Sequence, residues 1–133
     1  MDEDDLDASE NSEFDAVVVG GGVAGLTAAT YLARHEFDAL VLDAGESILR
    51  RNAHLENVPG FPAGVNARLF LDLLATQADH AGCHHYTATV ERVRTTDDGF
   101  AVETADDVTV RARYVVAATK NETSYLDGVD GVD

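Results

Sequence analysis

Phe14 to Val19 is a short apolar run ended by glycine, the pattern of a strand buried on both faces of a parallel sheet. From Val23 to His35 the period changes. Gly25, Ala28, Ala29 and Leu32 recur at helical spacing, so one helix face carries small residues and can lie close to a sheet. Asp38 to Leu42 is a second β-rich run, ended by Asp43. Together these make a β-α-β unit of about the expected 30 residues.

Ala44 to Val65 has no clear period and holds both prolines, in NVPGFPAG, so it reads as a long loop of the kind that is usually functional. Asn66 is placed to cap a helix whose stripe is Phe70, Leu73, Leu74, Ala78 and Ala81, and Gly82 stands where a helix-ending glycine belongs. The remainder is β-like. His84 to Arg94 makes one or two strands, Thr96 to Gly99 (TDDG) signals a hairpin turn, and Phe100 to Thr104 alternates apolar and polar residues. Asp106 and Asp107 make another turn, Val108 to Arg113 alternates again, and Tyr114 to Ala118 is an apolar run like the first strand. The expected fold is α/β and Rossmann-like: a parallel sheet, with a small antiparallel β-meander inserted before a strand that returns to it.

The 133 residues suit one domain. Residues 1 to about 12 contain six acids and almost nothing apolar, which predicts a disordered acidic tail ahead of a domain spanning 13–133. That N-terminus has no apolar h-region, and no apolar run approaches the ~20 residues of a membrane span, so the expectation is a soluble, cytoplasmic protein. Charge sharpens the picture. Asp and Glu number 25 against 9 Lys and Arg, a net charge of −16, with Lys120 the only lysine. Such a field repels phosphate and excludes nucleic acid and anionic membranes as partners. Acids in this excess resemble the composition of salt-adapted, halophilic proteins; an ordinary acidic protein with an acidic tail is the alternative.

In this setting GGGVAG, Gly20 to Gly25, fits a dinucleotide phosphate loop. Gly20 permits the tight turn out of the strand, Gly22 leaves the backbone open to a pyrophosphate, and Gly25 lets the helix pack closely. The helix N-terminus then offers free N–H groups and partial positive charge. Asp43 lies about 20 residues on, where a carboxylate accepts hydrogen bonds from a ribose and repels a 2′-phosphate. No Lys-Ser/Thr follows the glycines, which excludes a Walker loop. The fingerprint alone leaves FAD and NAD both open.

VVVGGGVAGLTAATYLARHEFDALVLDAGE, then ENVPGFPAGVNARLFLDLLATQADHAG, then VERV, a meander and RARYVVAATKNETSYLDG, resemble the FAD domain of the thioredoxin reductase family over roughly residues 14 to 130. The resemblance implies a flavin-dependent oxidoreductase with FAD as cofactor. Gly20, Gly22 and Gly25 would hold the pyrophosphate and Asp43 the adenosine ribose. Asn57 would lie near the flavin end, Val90 would present its backbone to the adenine, and Ala118 and Thr119 would close over the cofactor. Arg51 and Asn52 are further candidates from the variable loop. Asn57 equally suits a turn, Val90 a core position and Thr119 a strand end.

Three departures bear on activity. Lys120 replaces a family glycine, and the NADPH domain with its C-x-x-C and a later Gly-Asp segment are absent, so an incomplete FAD domain is expected. The redox partner, a small molecule or a protein, is undefined, and a homodimer is compatible with the chain. An NAD-binding dehydrogenase domain and a non-catalytic nucleotide-binding or sensory module are the alternatives. His80, Cys83, His84 and His85 cluster without zinc spacing, and His84 and His85 should point to opposite faces of a strand. Cys83, the only cysteine, reads as a small apolar filler. No catalytic residue and no metal site is assigned.

Overall fold

The computed structural model describes residues 12–45, 53–119 and 122–131. In chain order the elements are β1 (Ser12–Val19), α1 (Val23–Arg34), β2 (Ala39–Asp43), β3 (His54–Leu55), β4 (Val65–Asn66), α2 (Ala67–Ala81), β5 (His84–Thr87), β6 (Val90–Thr96), β7 (Gly99–Thr104), β8 (Thr109–Ala117) and a 3-10 turn, Ser124–Leu126. β1 begins at Ser12, the last residue of the stretch read as an acidic tail, because Ser12 pairs in register with Val110.

The main sheet has the order β5-β2-β1-β8-β7-β6. β5, β2, β1 and β8 are parallel, and β8, β7 and β6 are antiparallel. All five residues of β2 and the last four of β1 are buried, as their unbroken apolar runs require for strands covered on both faces. On one face Val18 and Val41 pack with Leu26 and Ala29 of α1, Leu71 and Ala78 of α2, and Cys83. On the other, Val17, Val19, Leu40 and Leu42 join Val93, Val102 and Val110, so the antiparallel end of the sheet folds over that face.

The return strand departs from the sequence reading. Thr109–Ala117 is one strand, where the pattern suggests two. Its first half pairs with β7 as well as β1, and its second half continues on β1. The change of period at Tyr114 marks a change in what covers the strand, not a break in it. The meander is therefore continuous with the parallel sheet, while His84 to Arg94 resolves into two strands. The loop between β2 and α2 also holds structure that no period announced: β3 and β4 form a two-residue antiparallel ribbon, tied to α2 by the Ala67 amide on the Ala53 carbonyl at 2.7 Å.

The local signals for α2 act as expected. The Asn66 side chain accepts from the amides of Arg68 and Leu69 at 3.0 and 3.1 Å, and Gly82 ends the helix with φ +106°. The tip of the β7–β8 hairpin is tied to β5. Asp106 accepts from Thr104 and from the Tyr86 hydroxyl, and these two bonds hold its carboxyl below the usual carboxylate range. A lowered folded value stabilises the fold above the unfolded aspartate range, near pH ~4, and that contribution is lost as the pH falls through the folded value.

The β1–α1 junction is held by contact. A Cβ at Gly25 would lie 1.8 Å from the Gly20 carbonyl oxygen, which is backbone and cannot rotate away. Gly25→Ala should therefore push α1 off the sheet and destabilise the chain by roughly 2 kcal/mol or more, read as a lower urea midpoint. An unchanged midpoint would show that the junction is looser than this geometry.

Candidate nucleotide-binding site

From β1 the chain runs through α1 to β2 and on to β5 on one side, then returns to β8 on the other. The strand order reverses beside β1, and in open α/β sheets the crevice at the carboxyl ends of strands at such a point is where ligands bind. The glycine loop occupies that place. Gly20 has φ +111°, and its amide donates to the Leu42 carbonyl at 2.8 Å. A Cβ on Gly20 would stand 2.7 Å from the Ala118 oxygen and 3.3 Å from the Thr119 nitrogen. Gly20, Ala118 and Thr119, far apart in sequence, are thus packed together. The Ala118 amide also donates to the Val19 carbonyl at 2.9 Å.

Gly22 is the N-cap of α1, extended at φ −84° and ψ −164°, and no side chain caps the helix there. The first intrahelical bond runs from the Leu26 amide to the Gly22 carbonyl at 3.0 Å. The amides of the first turn, Val23 to Gly25, lack intrahelical acceptors, so the positive end of the helix faces the crevice. Among the described residues, the arginines with defined contacts are engaged on the meander. Arg92 and Arg94 bind Glu103, and Arg113 lies over the Tyr114 ring. Backbone dipoles are the anion-binding groups that the described loop presents.

Asp43 is buried at the end of β2. Its Oδ1 accepts from the Gly45 amide at 2.9 Å, and its carbonyl accepts from the Ala88 amide at 3.0 Å. A Cβ on Gly21 would come within 2.5 Å of its Oδ2. The middle glycine of the GGG run, a free position in the motif, is small because the carboxylate lies against it. The His85 Nε2 stands 3.8 Å from the same Oδ2. Sequence reasoning placed the two histidines on opposite faces but missed this pairing, whose signal was an imidazole two residues before the strand position beside an acid-ended strand.

Of the other sequence candidates, Val90 opens β6 and packs at the edge of the meander-side core. The chain reaches it from Ala88, the residue hydrogen-bonded to Asp43. Asn57 is exposed in the β3–β4 loop, and among the described residues no hydrogen bond joins it to the glycine loop. Thr119 Oγ1 donates to the Glu122 carbonyl at 2.8 Å and so accepts from the buried Tyr125 hydroxyl at 2.7 Å, which fastens the segment after β8. Arg51, Asn52 and Lys120 lie outside the described residues. Among the described residues no helix is long and apolar enough to cross a membrane.

A family model described as "NAD(P)-binding Rossmann-like domain" matches residues 18–81. The thioredoxin reductase from Gloeobacter violaceus superposes with a TM-score of 0.76 at 31% identity, over 83% of this chain and 37% of that one. This is a Rossmann-like nucleotide-binding domain related to the thioredoxin reductases. The bifunctional thioredoxin reductase/thioredoxin of Mycobacterium leprae is 33% identical over 114 residues, 84% of this chain and 25% of that protein. The flavin-containing amine oxidase A of Canis lupus familiaris is 48% identical over a shorter stretch of 54 residues, 37% of this chain and 10% of that protein. The chain spans a quarter of the length of the Mycobacterium leprae relative and about a third of the Gloeobacter violaceus one.

The histidine and cysteine cluster of this thioredoxin reductase-like domain disperses into separate contacts. His84 Nε2 is 3.2 Å from Asp38 Oδ1, His85 turns to Asp43, and the buried Cys83 thiol donates to the Ala29 carbonyl at 3.0 Å. Burial, with the Asp79 carboxylate second, pushes the Cys83 thiol up to about 11. At pH 8 the thiol is protonated and covered. A thiol reagent such as DTNB should react at least ~100-fold faster in denaturant than with the native chain. Equal rates would place Cys83 in an exposed, reactive setting.

Proposed function

We propose that this chain is the FAD-binding domain of a thioredoxin reductase-like, flavin-dependent oxidoreductase. The observation that carries the reading is the buried Asp43 carboxylate set against Gly21, beside the uncapped N-terminus of α1 at the switch point of the sheet. These residues fit an adenine dinucleotide. The close approaches at Gly20, Gly21 and Gly25 are to Ala118, Asp43 and the Gly20 carbonyl, so these glycines seat the loop and α1 tightly on the strand ends, and Gly22 would leave the backbone open to a pyrophosphate. The first-turn amides of α1 would neutralise the phosphates, and Asp43 would accept hydrogen bonds from the adenosine ribose. Ala118 and Thr119, packed on Gly20, would wall the crevice on the β8 side. The isoalloxazine of the bound cofactor would supply the redox chemistry.

Three observations favour flavin. The NVPGFP segment between β3 and β4 and the meander stand where the resemblance requires them. Thioredoxin reductases recur among relatives and solved structures alike. A relative whose own name is flavin-containing is 48% identical over 54 residues of the chain. A nicotinamide dinucleotide is the second reading, favoured by the family model's NAD(P)-binding description over residues 18–81.

Reconstitution separates the two. After removal of free cofactor, the folded chain should keep absorbance bands at about 370 and about 450 nm. Asp43→Ala should weaken FAD at least about tenfold, since the charge-assisted ribose hydrogen bonds are lost. A folded chain that retains no flavin yet binds NADH would overturn the FAD reading in favour of the nicotinamide one.

A further inference from the structure

Tyr125 is a core residue whose hydroxyl serves something outside the core. It is 3% exposed, and it belongs to the meander-side cluster with Val93, Val102 and Val110. A phenylalanine ring would fill that space equally well. A buried tyrosine hydroxyl needs a partner, and this one finds Thr119 Oγ1 at 2.7 Å. Thr119 is half-buried just beyond the end of β8.

The turn that carries Tyr125 is closed on itself. The amides of Leu126, Asp127 and Val129 donate to the carbonyls of Thr123, Ser124 and Leu126 at 2.9, 3.1 and 2.9 Å. The Ser124 amide donates to the Glu122 carboxylate at 2.9 Å, and Leu126 and Val129 pack on the same core as Tyr125. The tyrosine hydroxyl is therefore held in place from both the ring and the backbone. Thr119 Oγ1 also donates to the Glu122 carbonyl at 2.8 Å, so its hydroxyl is committed to this turn. On its other side, the Thr119 nitrogen stands 3.3 Å from where a Gly20 Cβ would be, and the Ala118 amide is bonded to the Val19 carbonyl. A line of contacts thus runs from the core, through the Tyr125 hydroxyl and Thr119, to the first glycine of the loop.

We propose that the Tyr125 hydroxyl is a positioning group of the cofactor site: by holding Thr119, it fixes the β8-side wall of the crevice against Gly20 and so sets how tightly FAD is held. This rests on the reading of the glycine loop as the FAD site. Tyr125 acts through Thr119, and it is a positioning residue, not a catalytic one. A role confined to packing needs the ring alone. The two roles therefore differ in what loss of the hydroxyl does to ligand affinity.

The test is an equilibrium titration of the folded 133-residue chain with FAD, followed by flavin fluorescence. Tyr125→Phe keeps the ring and should weaken FAD about fivefold, the scale of one lost hydrogen bond. Thr119→Val should cost about as much, and the double variant no more than either alone, since both delete the same bond. Thr119→Ser, which restores the hydroxyl, should recover most of the loss. If Tyr125→Phe fails to fold, the contrast of Thr119→Val with Thr119→Ser carries the test. Gly22→Asp checks the underlying reading. The residue is extended at φ −84°, which aspartate adopts freely, and the added carboxylate at the helix N-cap should abolish FAD binding. If Tyr125→Phe and Thr119→Val bind FAD as the wild type does, or their losses simply add, while Gly22→Asp loses FAD, Tyr125 has no such role and the FAD reading stands. If Gly22→Asp binds FAD normally, or the folded wild type binds none, both fail.

Discussion

The architecture depends on one contact, the seating of the first turn of α1 on the carbonyl of Gly20. With no side chain at Gly25, the helix starts directly against the end of β1, and a methyl group there would already collide. That closeness fixes where the positive end of the helix points. It also leaves Gly20 thin enough for the end of β8 to lie on it, so Ala118 and Thr119 border the same crevice. The strand order supplies the crevice and the glycines supply the approach. The proposed dinucleotide reading needs both.

The net charge of −16 gives the backbone this task. A long-range negative field opposes any phosphate ligand, and Arg92 and Arg94 are held by Glu103 on the meander. Short-range dipoles inside a crevice of lowered dielectric are screened less than surface charges, so they can prevail locally. The Asp43 carboxylate and the His85 imidazole, both mostly buried, stand 3.8 Å apart, whereas the Arg92–Glu103 pair lies on the surface.

Sequence made local features legible. The buried apolar run of β1, the small-residue face of α1, the Asn66 cap and the Gly82 terminator each depend on neighbours within a turn or two, and each appears where the pattern put it. Asp43 was legible because a strand end is a position that the period defines. The contacts that complete the site were not. Gly21 against Asp43, Gly20 against Ala118, His85 against Asp43 and Thr119 against Tyr125 join different elements, and hydrophobic periodicity carries no record of such pairs. β8 was divided in the reading for a related reason. Tyr114 is exposed where a buried run was expected to begin, so the pattern changed although the hydrogen-bond ladder did not. The β3–β4 ribbon, two residues on each side, is shorter than any alternation can announce.

The most direct test of the glycine loop as the dinucleotide site is an amide NMR titration of the folded chain with FAD. Shifts should concentrate at Gly20 to Gly25, at Asp43 to Gly45 and at Ala118 and Thr119. Shifts centred instead on the opposite end of the sheet, around Glu13 to Asp15 and Asp38, would contradict it, as would a spectrum that saturating FAD leaves unchanged.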